Sequence, residues 1–365
     1  MNKIEPFIPP LLPPKIDYLS LFSMFGDSRE ELGNLSGSLI HPVINPQLLI
    51  TPLLTKEAVV SSSIEGTIAT IEDVYKYDVE NSLLEDSEIK LDAQEIVNYR
   101  LAMNKSLEEL EKRAIGENFL KKAHSILLDS VRGSRKNRGH FRRDLVHIGK
   151  PGSKMENASF IPAPPEMIPE LMKNWEKYIN SKDEKDPLIQ IAVAHYQFEA
   201  IHPFLDGNGR IGRLVIPLFL CDRELLRYPI LYLSKYFNEH RDQYIDSLRS
   251  VDENGDWNKW IEFFLVALRT QALETKISVL EIVKLYNELK EKVAKLGSRY
   301  GNSMLDLLFI WPIVNFPMLR DRIGASNQTI YNLIEKFEDE GILIQISDQK
   351  RNRTYIFRQL IDLLS

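Results

Sequence analysis

The chain has 365 residues, 44% of them hydrophobic and 27% charged, with 46 lysines and arginines against 52 aspartates and glutamates. That composition suits a globular protein with a sizeable core, excludes a wholly disordered or collagen-like chain, and at ~150 residues per domain predicts two to three domains. A net charge of −6 argues against a chain that mainly coats nucleic acid, although a small nucleic-acid module or a nucleotide site needs only local charge.

Cys221 is the only cysteine, so neither an intrachain disulfide nor a Cys-rich metal site is expected. The first residues, Met1 to Asp17, carry Pro6, Pro9, Pro10, Pro13 and Pro14 and no apolar stretch resembling a signal peptide. The longest apolar runs, such as Leu214 to Cys221, fall short of the ~18 residues a membrane helix needs. A soluble, reduced, cytoplasmic protein is the expectation.

In chain order, Ile8 to Pro14 reads as an extended proline arm that must lie on something, since polyproline cannot pack alone. Apolar residues at steps of three to five predict a helix over Asn45 to Gly66, with Gly66 as its stop. Further helices are predicted over Ala93 to Leu110 and Phe119 to Leu128. From Gly133 to Pro165 the composition turns to Gly, Pro, Ser and Asn around two β-like pieces, Leu145 to Ile148 and Ala158 to Ile161. With Gly149-Lys150-Pro151-Gly152-Ser153 between them, they predict a hairpin with a long loop.

Helical patterns resume over Glu166 to Ile179 and, as a buried helix, over Pro187 to Ile201. More follow over Leu214 to Leu225, Tyr236 to Val251 and Trp257 to Leu268. A long amphipathic helix begins after Thr275 and runs through Val293 to Gly297. Beyond it come helices at Met304 to Ile310, Met318 to Ile323 and, capped by Ser326, Gln328 to Glu340. Strands at Ile342 to Ile346 and Thr354 to Phe357 flank Asp348 to Arg353. Helix, turn, helix and hairpin wing is the winged-helix plan.

The residues that carry chemistry lie in His202-Pro203-Phe204-Leu205-Asp206-Gly207-Asn208-Gly209-Arg210-Ile211-Gly212-Arg213. Pro203 cannot donate the next backbone bond, so the buried helix ends and fixes His202 at its rim. Gly207 and Gly209 let the backbone approach a ligand, and the helix that starts near Gly209 aims free N–H groups and its positive dipole end into the loop. That is an anion site suited to phosphate. Arg210 and Arg213, three apart, add two charge-assisted clamps. Asp206 beside such a cradle reads as a ligand for Mg²⁺. His202 is the one good general base at neutral pH.

His-Pro-Phe-x-Asp-Gly-Asn-Gly-Arg-x-Gly-Arg is the signature of the Fic family of protein adenylyltransferases, and the chain resembles that family over roughly residues 40 to 270. Arg138 to Arg142, Val146-His147-Ile148-Gly149 and Ala158 to Pro165 look like its β-hairpin flap. Leu231 to Ser234 and Gly255-Asp256-Trp257 are also similar. The resemblance implies a mainly α fold, a Fic-type helical bundle with a small β-hairpin flap, to which the C-terminal winged-helix domain is added. The division expected is 1–115 (N-terminal helices and arm), 116–275 (catalytic core) and 276–365 (linker helix and winged helix).

The activity implied is transfer of AMP from ATP to a Tyr, Thr or Ser hydroxyl of a target protein, and to the chain itself, with pyrophosphate released. His202 would be the base and Asp206 would hold Mg²⁺ or Mn²⁺. The ATP contacts implied are Val146, His147, Ile148, Gly149, His202, Gly207, Asn208, Gly209, Arg210, Ile211, Gly212, Arg213 and Tyr244, together with Glu65, with Arg213 on the γ-phosphate. The flap would hold the target by strand addition. With Gly209 in place, AMP transfer is the chemistry implied. Ser61-Ser62-Ser63-Ile64-Glu65-Gly66 matches the family's inhibitory motif, which makes Ser61, Glu65 and Gly66 the restraint and pairs Glu65 with Arg213. A carboxylate at a helix C-terminus is otherwise disfavoured by ~0.3–1 kcal/mol.

Two rivals compete. His195, Glu199, His202 and Asp206 have the spacing of a metal-hydrolase ligand set, although Pro203 and Gly207 break the helix that would align them. A winged-helix DNA-binding regulator is the other, but the predicted recognition helix carries Glu335, Glu338, Asp339 and Glu340 against Lys336, and only Lys350, Arg351 and Arg353 of the wing are basic. A protein-docking role suits that region better. The target protein is unknown, and a homodimer is a further partner to be tested.

Overall fold

Why the chain folds around one helix is visible in its sequence. Pro187–Ile201 (α7) is apolar on every side, and a helix of that kind must be surrounded; almost all its residues are buried. In this computed structural model, which describes residues 5–39, 45–129, 131, 137–149, 154–347 and 353–364, its neighbours are Ile168–Asn180 (α6), Asn208–Asp222 (α8) and Trp257–Lys295 (α11). Two indole N–H groups sew the layers together: Trp175 of α6 donates to Ala194 O at 2.8 Å and Trp260 of α11 to Ala192 O at 2.8 Å.

The preceding elements form a second layer: Tyr18–Ser38 (α1), Gln47–Ile64 (α2), Ile71–Val79 (α3), Ser87–Leu110 (α4) and Glu117–Leu127 (α5). Helix α2 packs on α4 and on the short Ser234–Glu239 (α9), and α4 leans on α8. Arg241–Asn254 (α10) turns through Gly255, at φ 67°, into α11. Thr70 and Asp73 form a reciprocal capping box at the start of α3. Neither α1 nor α3 was readable from periodicity. Helix α1 has Gly26, Gly33 and Gly37 inside it, each a poor helix former, and is held by α11, with Ser28 Oγ donating to Leu265 O at 3.1 Å.

The proline arm lies on the core. Gln197 of α7 donates to Pro10 O at 2.9 Å, Asn174 of α6 grips both N–H and C=O of Leu12, and Phe7 N–H reaches Ile161 O at 2.8 Å. The expected flap strands are reduced to one antiparallel bridge, Ile148 to Phe160, and residues 150–153 of its loop lie outside the described residues.

The two helices expected over 257–268 and 277–293 are one. Helix α11 runs unbroken for 39 residues because nothing from Arg269 to Lys276 can stop it, neither Gly nor Pro. The boundary expected at 275/276 therefore falls in mid-helix. Beyond α11 the order is Gly301–Ile310 (α12), Ile313–Asn315 (β1), Phe316–Ile323 (α13), Asn327–Asp339 (α14), Ile344–Gln345 (β2), Thr354–Ile356 (β3) and Arg358–Leu364 (α15). The sheet is antiparallel in the order β1-β3-β2, with Val314 opposite Tyr355 and Gln345 opposite Tyr355 on the other side. Wing residues 348–352, including Lys350 and Arg351, lie outside the described residues.

Candidate active site

The loop between α7 and α8 is built by backbone geometry that few residues tolerate. His202 ends α7 in the left-handed region, φ 51° and ψ 60°, its N–H bonded to Phe198 O at 2.9 Å. Gly207, at φ 77°, precedes α8 without a side-chain cap. The first N–H groups of α8 therefore have no partner within the helix and face the loop, the arrangement that attracts anions.

Three side chains hold this loop. Asn208 is a two-handed clamp on Phe204, accepting from its N–H and donating to its C=O, both at 2.8 Å. His124 of α5 stacks on the Phe204 ring at 3.9 Å. Its Nδ1 accepts from Gly139 N–H, so the neutral ring carries its proton on Nε2 and donates to Asp206 O, both at 2.9 Å. Burial pushes His124 down to about 4, consistent with a ring kept neutral. Arg142, also buried, spans the far side and donates to the carbonyls of His202 (2.8 Å), Asp144 (2.9 Å), Ala163 and Ile201. Neither His124 nor Arg142 was assigned this task from sequence; a buried side chain that bonds only backbone leaves no spacing to read.

The two signature arginines part company. Arg210 turns toward α4, pairing with Glu95 at 3.0 Å, with Asp206 Oδ1 3.6 Å away. Arg213 turns toward α2: its Nε donates to Ser61 Oγ at 2.9 Å, and its Nη2 to Ser61 O at 2.8 Å and Glu65 Oε1 at 2.9 Å. Burial opposes ionisation of Glu65, but Arg213 outweighs it and holds the carboxyl below its ordinary value. Glu65 caps α2, and Gly66 turns the chain away at φ 104°. The carboxylate lies directly over the first turn of α8, since a Cβ on Gly209 would meet Glu65 Oε1 at 2.5 Å and Arg213 at 2.8 Å.

A cavity of about 590 Å³ opens here, lined by Glu65, His147, Ile148, Gly149, His202, Gly209, Arg213 and Tyr244 of the predicted set. Val146, Gly207, Asn208, Arg210, Ile211 and Gly212 are not among its lining residues: Ile211 is core, and Gly212 packs against Glu199 and Phe198. The lining adds Glu199, known until here only from the rival metal-hydrolase spacing, and residues no motif marked, among them Tyr196, Ile245, Leu248 and Asp252. Burial drives the His202 ring down to about 4, with Arg142 assisting, so it is neutral at pH 7. Its Nδ1 is buried without a hydrogen-bond partner among the described residues. Burial also lifts Glu199 to about 7. His195, pushed by burial to about 3, bonds Tyr244 OH at 3.1 Å through Nε2. Among the described residues no group of three or more His, Cys, Asp or Glu gathers as a metal-ligand set, so the hydrolase spacing does not become a cluster.

Residues 114–220 match the family model described as Fic/DOC family, and residues 22–108 match its N-terminal model. The chain belongs to the Fic/DOC family. It is 27% identical over 205 residues to a protein from Aquifex aeolicus (strain VF5) named a probable protein adenylyltransferase, covering 55% of this chain and 56% of that one. It is 30% identical over 161 residues to the protein adenylyltransferase Fic of Aedes aegypti, covering 44% of this chain and 26% of the mosquito protein. The chain thus spans about half of the first relative and a quarter of the second. In fold, a Fic family protein from Desulfovibrio desulfuricans G20 superposes with a TM-score of 0.60 at 21% identity, over 95% of this chain and 98% of the other. Fic-1 from C. elegans gives 0.56 at 19% identity, over 74% and 75%.

Proposed function

We propose that this Fic/DOC chain is a protein adenylyltransferase, moving AMP from ATP to a Tyr, Thr or Ser hydroxyl of a target protein and to itself. The observation that carries the proposal is the juxtaposition of a neutral His202 with the open first turn of α8 and Arg213 in one cavity. The hydroxyl oxygen forms a bond to the α-phosphorus, the bond to the bridging oxygen of the β-phosphate breaks, and pyrophosphate leaves. His202 accepts the hydroxyl proton. The α8 N–H groups and Arg213 carry charge on the phosphates.

Asp206 fits a divalent cation shared with phosphate. Its side chain is about 29% exposed at the loop, and Mg²⁺ is commonly held by one or two carboxylates together with substrate phosphates and water. Mg²⁺ or Mn²⁺ there would neutralise the phosphates and align their oxygens.

Glu65 restrains the reaction in this reading. Its carboxylate lies over the turn that would receive phosphate and holds Arg213, so ATP could not engage both. Ser61 supports the restraint by taking the other edge of the guanidinium. The flap segment around Ile148 and Phe160, at the cavity's rim, would take the target chain by strand addition.

The winged-helix region serves docking and target choice rather than DNA. The one lysine of its α14, Lys336, is spent on Leu296 O at 2.8 Å, which leaves an acidic helix facing any duplex. Among the described residues no helix is long and apolar enough to cross a membrane, and we place the protein in the cytoplasm. The test is incubation with labelled ATP and lysate, followed by mass spectrometry: a peptide carrying AMP on a hydroxyl is expected, and labelling from the γ- but not the α-phosphate would overturn the reaction.

A further inference from the structure

Helix α2 also borders a second cavity, of about 240 Å³, whose lining shares no residue with that of the first. Its walls are Leu53, Lys56, Glu57 and Val60 of α2, the segment with Ile230, Tyr232 and Lys235, and α11 from Gln271 to Ser278. Lys235 is satisfied by Glu274 at 2.8 Å. Lys56 is not: among the described residues its ammonium has no hydrogen bond or ion pair within contact distance, and the charges that act on it are Lys235, Glu274, Glu239 and Glu281. The cavity therefore offers, among the described residues, one ammonium without a direct hydrogen-bonded partner beside a wall of Leu53, Val60, Ile230 and Ile277.

Two hydrogen-bonded links, one turn apart on α2, lie between this cavity and the active site. Arg213 Nε donates to Ser61 Oγ at 2.9 Å, and one turn earlier on α2 Glu57 Oε1 accepts from Tyr99 OH at 3.2 Å. Glu57 is buried and lines the second cavity, its Oε1 also accepting from Ser234 Oγ. All of these links run through α2, the helix that ends in Glu65.

We infer that this cavity is a regulatory site for a small organic carboxylate with an aliphatic or aromatic body, whose anion pairs with Lys56 and whose body rests on Leu53, Val60, Ile230 and Ile277. A ligand that fits the cavity as α2 now builds it stabilises that placement of α2 by mass action. In the same placement Glu65 holds Arg213, so occupancy reinforces the restraint; this half rests on the adenylyltransferase reading.

The two halves are tested separately. Titration calorimetry of the full chain with 4-methylpentanoate, benzoate and L-leucine reads the site without any catalysis. At least one probe should bind, the uncharged 4-methylpentan-1-ol should bind at least tenfold more weakly, and Lys56→Met should lose the binding. Ser278→Trp, which fills the cavity and leaves the charges in place, should lose it too. No binding by any probe, or equal binding to Lys56→Met, overturns the site. The link is read as ATP affinity and self-labelling with the binding probe present. Both should fall several-fold in the parent chain and hold in Glu65→Gly; an equal fall in both would overturn the link while leaving the site standing.

Discussion

His202 occupies a backbone conformation that costs a non-glycine residue of order 1–3 kcal/mol, held there by four carbonyl contacts from Arg142 and by the Asn208 clamp. That over-determination keeps the ring at the cavity rim, and burial keeps it neutral. His202→Ala should cut AMP transfer by ~10²–10⁴-fold with ATP still bound, measured by labelling and calorimetry. The pH profile follows with its sign: the base works when deprotonated, and its value is lowered to about 4. In the Glu65→Gly background, kcat/KM should therefore persist as pH falls below 6.5 and drop only toward 4; an acid limb at 6.5 would show an unshifted histidine. Asp206→Ala should lose activity that excess Mg²⁺ does not fully restore, and the parent should be silent in EDTA; full activity in EDTA would exclude the metal reading. The signature was legible because its chemistry is local in sequence. Glu95, His124 and Arg142 were not, because the partners that tie them to the signature, Arg210, Asp206 and His202, lie 115, 82 and 60 residues away, and no periodicity encodes that.

At the scale of elements, α2 and α8 face each other through one ion pair. Arg213 is buried and its Nη2 serves Glu65 and the Ser61 carbonyl together, so the pair is a defined geometry rather than a loose surface contact. A guanidinium committed this way cannot also fork onto a phosphate. Glu65→Gly should raise self-labelling from [α-³²P]ATP substantially, at least tenfold, whereas Arg213→Ala should not, since the phosphate clamp goes with the restraint. Equal labelling of Glu65→Gly and the parent would refute restraint. The pairing of these two helices was readable only through the motif resemblance; what spacing alone showed was a carboxylate at an unfavourable helix end. Element boundaries were legible where Gly or Pro punctuate, as at Gly66 and Pro203. They were lost where tertiary packing decides, as in α1, or where no stop residue exists, as across Thr275 in α11.

Across the whole molecule, the described lining of the catalytic cavity ends at Asp252 in α10, so no described residue after α11 lines it. The C-terminal region nevertheless packs on α2, the helix that ends at Glu65. Helix α12 packs on α2, α15 packs on α2 and α3, β1 packs on α3, and Arg358 pairs with Glu72 at 2.8 Å. That half-buried pair is worth on the order of 1 kcal/mol, but the buried faces of α12 (Met304, Leu305, Leu308) and α15 (Leu360, Ile361, Leu364) matter more, at about 1.5–3 kcal/mol for each large side chain. A chain ending at Gly297 keeps α11 whole and still covers α1, unlike one ending at Thr275, which would cut through the helix. It should fold with reduced thermal stability, because one side of α2 is stripped of its apolar cover. Helix α2 would then hold Glu65 on Arg213 less firmly, so the truncated chain should label itself several-fold more than the full chain. Adding Glu65→Gly to the truncation should raise labelling far less than it does in the full chain, since both changes release the same contact. Circular dichroism establishes that the truncated chain is folded. If it is, and it labels no more than the parent, the C-terminal region does not support α2; if it labels not at all, that region belongs to the catalytic unit.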